Sequence, residues 1–222
     1  MLSLRQDTSG NPPIGVPESV IHPSAKCFIK RSIDIVGTLI GLTVLALITV
    51  PVAIAIKLDS PGPIFYGQKR YGLKGRPFTI WKFRSMVENA DALKQTVANQ
   101  AQGLIFKNDR DPRVTRVGRI LRKTSLDEFP QFWNVLKGDM SLVGTRPPTE
   151  DEVSQYSDHH WRRLDVKPGI TGQWQISGRS AIKDFEEVVH LDLHYQAIWS
   201  PWYDLQVIFR TIALLFDRTG AY

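Results

Sequence analysis

The stretch IVGTLIGLTVLALITVPVAIAI, Ile35 to Ile56, decides the fold class, because its 22 residues include no charged side chain. One straight helix of that length spans about 33 Å, close to the hydrocarbon thickness of a bilayer. Thirteen of its residues are large aliphatics. At about 0.3–0.6 kcal/mol each they favour insertion by roughly 4–8 kcal/mol. Pro51 lies well inside the run. It cannot donate to the carbonyl of Leu47 and it disfavours helical angles at Val50, so a kink is expected, at a cost of about 3 kcal/mol. Insertion survives that cost. Both flanks are basic: Lys26, Lys30 and Arg31 precede the run, and Lys57, Lys69 and Arg70 follow it. Positive charge favours the cytoplasmic side. A helix that enters and returns satisfies both flanks. An ordinary spanning helix with a tolerated proline is the alternative that the residues alone leave open.

Around this run, a chain of 222 residues reads as one domain with appendages. The net charge of +6 suits acidic lipid, phosphate or nucleic acid as partners. Cys27 is the single cysteine, which excludes an intrachain disulfide and a cysteine-built zinc site. Residues 1–24, with Gly10, Pro12, Pro13, Gly15, Pro17 and Pro23, read as a flexible arm. They do not read as a signal peptide, since the apolar run starts late and no small-residue cleavage site follows it.

After the run, Asp59-Ser60-Pro61-Gly62-Pro63 is turn chemistry. Ile64–Arg70 and Phe78–Met86 read as two strands around the Gly72–Pro77 loop. Alternation places Lys82 and Arg84 on one strand face, where two cations could grip a diphosphate, and Trp81 and Phe83 on the other. Val87–Gln102 reads as a helix stopped by Gly103, with Leu93 and Val97 inward. Thr115–Lys123 reads as a short basic amphipathic helix with Val117, Ile120 and Leu121 as its apolar stripe, suited to an anionic membrane surface. Glu150–Leu164 has a helical period, Ile170–Arg179 reads as strand or loop, and Asp184–Ile198 as helix. Ser200 and Pro201 mark the start of a last helix, Pro201–Phe216, with Trp199, Trp202 and Tyr203 as interface anchors at its head.

The chemistry concentrates in KTSLDEFPQFWNVLKGDMSLVGTRPP, Lys123 to Pro148. Asp127 and Glu128 adjoin directly after the basic segment. One reading is a helix start, with Ser125 as cap and Glu128 reaching back to it. Pro130 would then fall inside that helix and remove a hydrogen bond. The other reading is a reactive dyad. Adjacent carboxylates repel, and a bound Mg²⁺ would relieve this, since it favours carboxylate oxygens and substrate phosphates. His190 and His194 stand at i, i+4, but the HExxH pattern is absent, and neither GxGxxG nor GxxxxGK[ST] occurs.

Several motifs in order resemble the bacterial sugar transferase family, the monotopic phosphoglycosyl transferases: KRSIDI, PGPIFYGQKRYG, WKFRSM, RKTSLDE, WNVLKGDMSLVGTRPP and KPGITGQWQISGR. The resemblance covers roughly Lys30 to the C-terminus, and the ordered set is specific. It implies a membrane-associated α+β protein: a flexible arm over 1–25, a re-entrant membrane helix over 26–58 kinked at Pro51, and a cytoplasmic-face catalytic domain over 59–222. Family members break that helix at a Ser-Pro pair. Here the pair is Val50-Pro51, so a hydroxyl back-bond would have to come from Thr49.

By the same resemblance Asp127 is a nucleophile on the β-phosphate of a UDP-sugar. UMP leaves, and polyprenyl phosphate attacks the phosphosugar-aspartyl intermediate. Glu128 deprotonates the lipid phosphate or helps hold Mg²⁺ with Asp127. Lys82, Arg84, Arg122, Arg146 and, in ISGR, Arg179 are the expected substrate-binding cations. The form GTRPP departs from the commoner GPRP. QISGRS and DFEEVVHLDLHY resemble members that prime exopolysaccharide or capsule synthesis with a hexose 1-phosphate, glucose or galactose, at the bacterial inner membrane. Nucleic acid is not expected as a partner, and a homodimer is left open. The rival reading is a non-enzymatic, membrane-anchored basic module built on Arg113–Lys123. It explains the charge but not Asp127, Glu128 and Asp139 beside that run.

Overall fold

The computed structural model describes residues 21–178 and 182–216. In chain order come helix α1 (Phe28–Asp59), strands β1 (Phe65–Tyr71) and β2 (Pro77–Phe83), and helices α2 (Arg116–Lys123) and α3 (Gln131–Lys137). Strand β3 (Ser141–Val143), helices α4 (Glu150–Val153) and α5 (Asp158–Trp161), and strand β4 (Gly169–Thr171) follow. Helices α6 (Gln173–Ile176), α7 (Phe185–Ile198) and α8 (Pro201–Phe216) complete the described chain. The class is α+β, and among the described residues one helix, α1, is long and apolar enough to cross a membrane.

α1 has two faces of opposite character. Leu39, Ile40, Leu47, Val50 and Ile54 are exposed, while Lys30, Asp34, Thr38, Gly41 and Ile56 are buried against the rest of the protein. Lys30 Nζ lies 2.7 Å from Asp204 Oδ2 and donates to Val143 O. Asp34 Oδ1 accepts from Ser141 Oγ and the Leu142 N–H. Arg31 donates to the carbonyls of Val135 and Leu136, the open C-terminal end of α3. A Cβ at Gly41 would stand 2.5 Å from the Phe132 ring, so α1 and α3 meet where α1 has no side chain.

The helix runs unbroken through Val50 and Pro51, which corrects the expectation that Val50 leaves helical angles. The turns on either side propagate the helix past the single missing hydrogen bond. Thr49 Oγ1 does bond back, to Leu45 O at 2.6 Å. The packed body also begins before the expected boundary at residue 25: Ser24 is buried, and the His22 N–H donates to Asp165 O.

β1 and β2 form the expected antiparallel hairpin, in register from Phe65↔Phe83 to Tyr71↔Pro77. β3 and β4 pair in parallel, Ser141↔Gly169 and Val143↔Thr171. A Cβ on Gly144 would lie 2.2 Å from Lys167 O, and one on Gly169 would lie 2.1 Å from Gly144 N. Glycine at both positions lets the two backbones approach, and this joins the GTRPP turn to KPGITG.

Two expected helices are not continuous. Val87–Gln102 contains only the 3-10 turn Ala92–Thr96; Asn89 takes a positive φ of 63° and Leu93 is exposed, so no apolar face sustains a helix there. Only Val97 is buried as expected. Glu150–Leu164 breaks into α4, α5 and a 3-10 turn, because Ser157 caps a second start. Ser200 caps α8 as expected, its Oγ accepting from the Tyr203 N–H. Of the three expected interface anchors only Trp202 points outward. The Trp199 Nε1–H donates to Asp204 Oδ2, and Tyr203 bonds Gln173.

Candidate active site

The dyad is positioned by a break in the chain direction. α2 starts at Thr115, whose hydroxyl accepts from the Gly118 N–H, and ends at Lys123. Val117 and Leu121 pack inward with Ile56 and Phe83, while Ile120 projects outward among Arg116, Arg119 and Lys123. Ser125 then takes left-handed angles (φ 56°, ψ 16°) and makes no capping bond. A capping box at Ser125 is therefore absent, and the dyad lies on a 3-10 turn, Leu126–Glu128. Pro130 sits just before α3, where its missing N–H costs no helical bond.

Asn134, fully buried on α3, fixes this turn against β2. Its Nδ2 donates to Thr79 O (2.7 Å), and its Oδ1 accepts from the Trp81 N–H (3.2 Å). Strand and helix are thus locked in register, and Lys82 comes opposite Glu128. Lys82 Nζ lies 3.2 Å from Glu128 Oε1, with both side chains partly exposed. Asp127 is buried, at 6% exposure. A buried carboxylate thus lies next to a solvent-reached ion pair on this turn.

The remaining expected cations separate into different places. Arg122, on the last turn of α2, donates from Nε to Ser85 Oγ (3.0 Å), beside the dyad turn that α2 packs against. Arg146 forks onto Glu152, Nη1 to Oε2 at 2.9 Å and Nη2 to Oε1 at 3.0 Å. Glu152 also closes a capping box with Thr149. Burial pushes Glu152 up, but Arg146, together with Arg70 and Arg163, reverses this and holds it below the usual carboxylate range. Arg84 is buried and turned toward the α1–β1 connection, where Nη2 donates to Ser60 O (2.7 Å) and Nη1 to Pro61 O. It therefore clamps the turn between α1 and β1. Arg179 lies outside the described residues. His190 and His194 stack in parallel at 6.4 Å, and no group of three potential metal ligands occurs among the described residues.

Sequence reasoning missed the buried supports. Arg163 donates from Nε and Nη2 to Asp192 Oδ2 (2.8 and 2.6 Å), from Nη1 to Tyr156 OH, and from Nη2 to Arg146 O. This pair lies beneath the GTRPP turn and holds it. The contacts of Arg70 were also missed: Nη1 donates to Pro147 O (3.0 Å), while Nε and Nη2 donate to Gln68 Oε1 (3.0 and 2.6 Å). Alternation along β1, which puts Gln68 and Arg70 on one face, was the available signal.

The sequence profile described as bacterial sugar transferase matches residues 25–218. The chain belongs to the bacterial sugar transferase family. A galactosyl transferase named CpsE from Streptococcus agalactiae serotype III is 50% identical over 194 residues, 86% of this chain and 43% of that protein. A UDP-glucose:undecaprenyl-phosphate glucose-1-phosphate transferase of Escherichia coli K12 is 41% identical over 203 residues, 87% of this chain and 41% of that one. The exopolysaccharide production protein ExoY of Sinorhizobium fredii is 40% identical over 199 residues, 87% of this chain and 88% of its own length. The chain thus spans less than half the length of the first two relatives. As a bacterial sugar transferase it carries the dyad, the basic α2 and the GTRPP turn within the matched region.

Proposed function

We propose that this chain transfers a hexose 1-phosphate, of glucose or galactose, from a UDP-sugar to undecaprenyl phosphate, the first membrane step of exopolysaccharide, capsule or O-antigen synthesis. The observation that carries this reading is the burial of Asp127 on the turn between α2 and α3, beside the Lys82–Glu128 pair. An Asp127 carboxylate oxygen attacks the β-phosphorus, the bond from that phosphorus to the bridging oxygen breaks, and UMP leaves with the electron pair. An oxygen of polyprenyl phosphate then attacks the same phosphorus and releases the Asp127 carboxylate. Lys82 holds Glu128, which deprotonates the lipid phosphate or helps hold a metal.

Two adjacent carboxylates, with no group of three potential ligands among the described residues, fit a hard cation that arrives largely ligated by substrate phosphate. Asp127 and Glu128 would hold Mg²⁺, which would neutralise charge on the diphosphate and on departing UMP. The names of the relatives, a glucose-1-phosphate transferase and a galactosyl transferase, support a hexose. A non-enzymatic basic module leaves a buried aspartate beside the basic helix unexplained.

The topology proposed is re-entrant, with the catalytic part on the cytoplasmic face. Both ends of α1 are tied to the same body. Lys30 and Asp34 bind Asp204 and Ser141 near its start, and Asp59 Oδ2 accepts from the Val117 N–H at its end (2.8 Å). The exposed aliphatic face lies between these anchors. Two anchored ends support a helix that bends at Pro51 while its turns continue, dipping into the lipid and returning rather than crossing.

The test is incubation with a UDP-sugar labelled in the sugar, and no lipid acceptor. The expected result is UMP released in proportion to enzyme, with label retained on Asp127 and lost in Asp127→Asn. Normal turnover without retained label would instead mean direct transfer in a ternary complex.

A further inference from the structure

Among the cations near the dyad and the GTRPP turn, Lys82 and Arg146 each meet a carboxylate, Glu128 and Glu152 respectively. Arg122, held by Ser85 Oγ, and Arg70 do not. The Arg70 guanidinium is oriented by two neutral acceptors, Gln68 Oε1 and Pro147 O, and it forms no ion pair among the described residues. Three of its five N–H donors are used in this way, and one on each terminal nitrogen is left. The charged groups surrounding it are Arg146, Glu152 and Glu128, with the Tyr66 phenol. Arg70 thus stands between the dyad and the GTRPP turn, which the chain contributes from separate segments.

Glu152 is engaged by the Arg146 fork and Glu128 by Lys82, so neither carboxylate is in direct contact with Arg70. Burial, and then Arg146, pull the Arg70 guanidinium down to about 10, so it still carries its charge at neutral pH. Leaving a guanidinium partly desolvated without a counter-ion is costly unless an anion arrives. Fixing its plane through Gln68 and Pro147 leaves the free fork preorganised for two oxygens of one phosphate.

We propose that Arg70, oriented by Gln68, binds the diphosphate of the sugar nucleotide. This assignment rests on the transferase reading above. In that role Arg70 neutralises charge on the diphosphate, and alternation along β1 places it on one strand face with Gln68.

The decisive variant is Gln68→Glu. It keeps the acceptor oxygen that orients the guanidinium and adds a carboxylate that cancels its charge. If Arg70 merely ties β1 to the GTRPP turn, this variant leaves nucleotide affinity unchanged. If Arg70 binds phosphate, the affinity of purified full chain in lipid nanodiscs for UDP falls on the order of tenfold or more, the worth of one charge-assisted hydrogen bond. Uridine, which lacks phosphate, should bind both proteins equally. Arg70→Lys, which keeps charge without the fork, should raise the KM for UDP-sugar more than it lowers kcat. Unchanged UDP affinity in Gln68→Glu, with melting temperature retained, overturns the proposal. Wild-type protein that binds UDP but transfers no sugar phosphate would overturn the transferase reading and leave Arg70 as a nucleotide contact.

Discussion

Lys82 Nζ and Glu128 Oε1 are 3.2 Å apart, joining the end of strand β2 to the dyad turn 46 residues later. This pair is the most direct link between the β1–β2 unit and the dyad. Both side chains are partly exposed, so its stability contribution is about 1 kcal/mol or less. Its importance is geometric, since it fixes one of two adjacent carboxylates.

Lys82→Met should therefore leave folding nearly intact and damage turnover. The expected outcome is a melting temperature within a few degrees of wild type and a fall in kcat of about tenfold or more, since a shift of one ångström can cost on the order of a hundredfold. A variant as active as wild type would remove the pair from the mechanism.

Arg84→Ala should do the reverse. Arg84 holds the carbonyls of Ser60 and Pro61 from a buried position, where α1 turns into β1. Losing it leaves buried acceptors unpaired, at about 1–3 kcal/mol each. Thermal unfolding in detergent should shift downward, while KM for the UDP-sugar in the protein that remains folded stays at the wild-type value. A raised KM with normal stability would return Arg84 to the substrate site.

The Arg146–Glu152 fork makes a pH-dependent prediction. Glu152 is held below its ordinary value when folded, so the pair contributes stability that is present above the unfolded glutamate pKa. That stability is lost as pH falls through the lower folded value. In Arg146→Ala, burial still pushes Glu152 up, and only Arg70 and Arg163 are left to oppose it. The loss of stability on acidification should then be smaller than in wild type. Melting curves between about pH 3 and 6, around the glutamate titration range, distinguish the two, and parallel curves would mean that the fork does not form in solution.

Topology is tested by labelling in a Cys27→Ser background, since Cys27 is the single native cysteine. Lys26 and Lys123 are both exposed and lie before and after α1. Introduced cysteines at the two positions should react with an impermeant reagent from the same, cytoplasmic side. Reaction from opposite sides would establish a span. Pro51→Leu should move part of the population toward that span.

The chain's own order of residues determined the long apolar helix, the hairpin, the basic amphipathic α2 and the capped start of α8. Each is a local pattern: an uncharged run, alternation, a helical stripe, a serine before a proline. The dyad was legible for the same reason, because Asp127 and Glu128 are neighbours in the chain. What joins distant segments was not legible. Lys82 and Arg84 alternate identically on one strand, yet Lys82 reaches Glu128 and Arg84 turns to the Ser60–Pro61 carbonyls. Periodicity orders side chains by face and carries no information on which unpaired carbonyl or carboxylate waits there. Glu150–Leu164 kept its inward Val153 and Leu164 but lost its continuity, because local capping at Ser157 outweighed the period. Arg163 with Asp192, and Arg70 with Gln68 and Pro147, exist only once β1, the GTRPP turn and α7 are packed together. Burying a charge demands a specific partner, and only the tertiary structure decided which one each of these charges met.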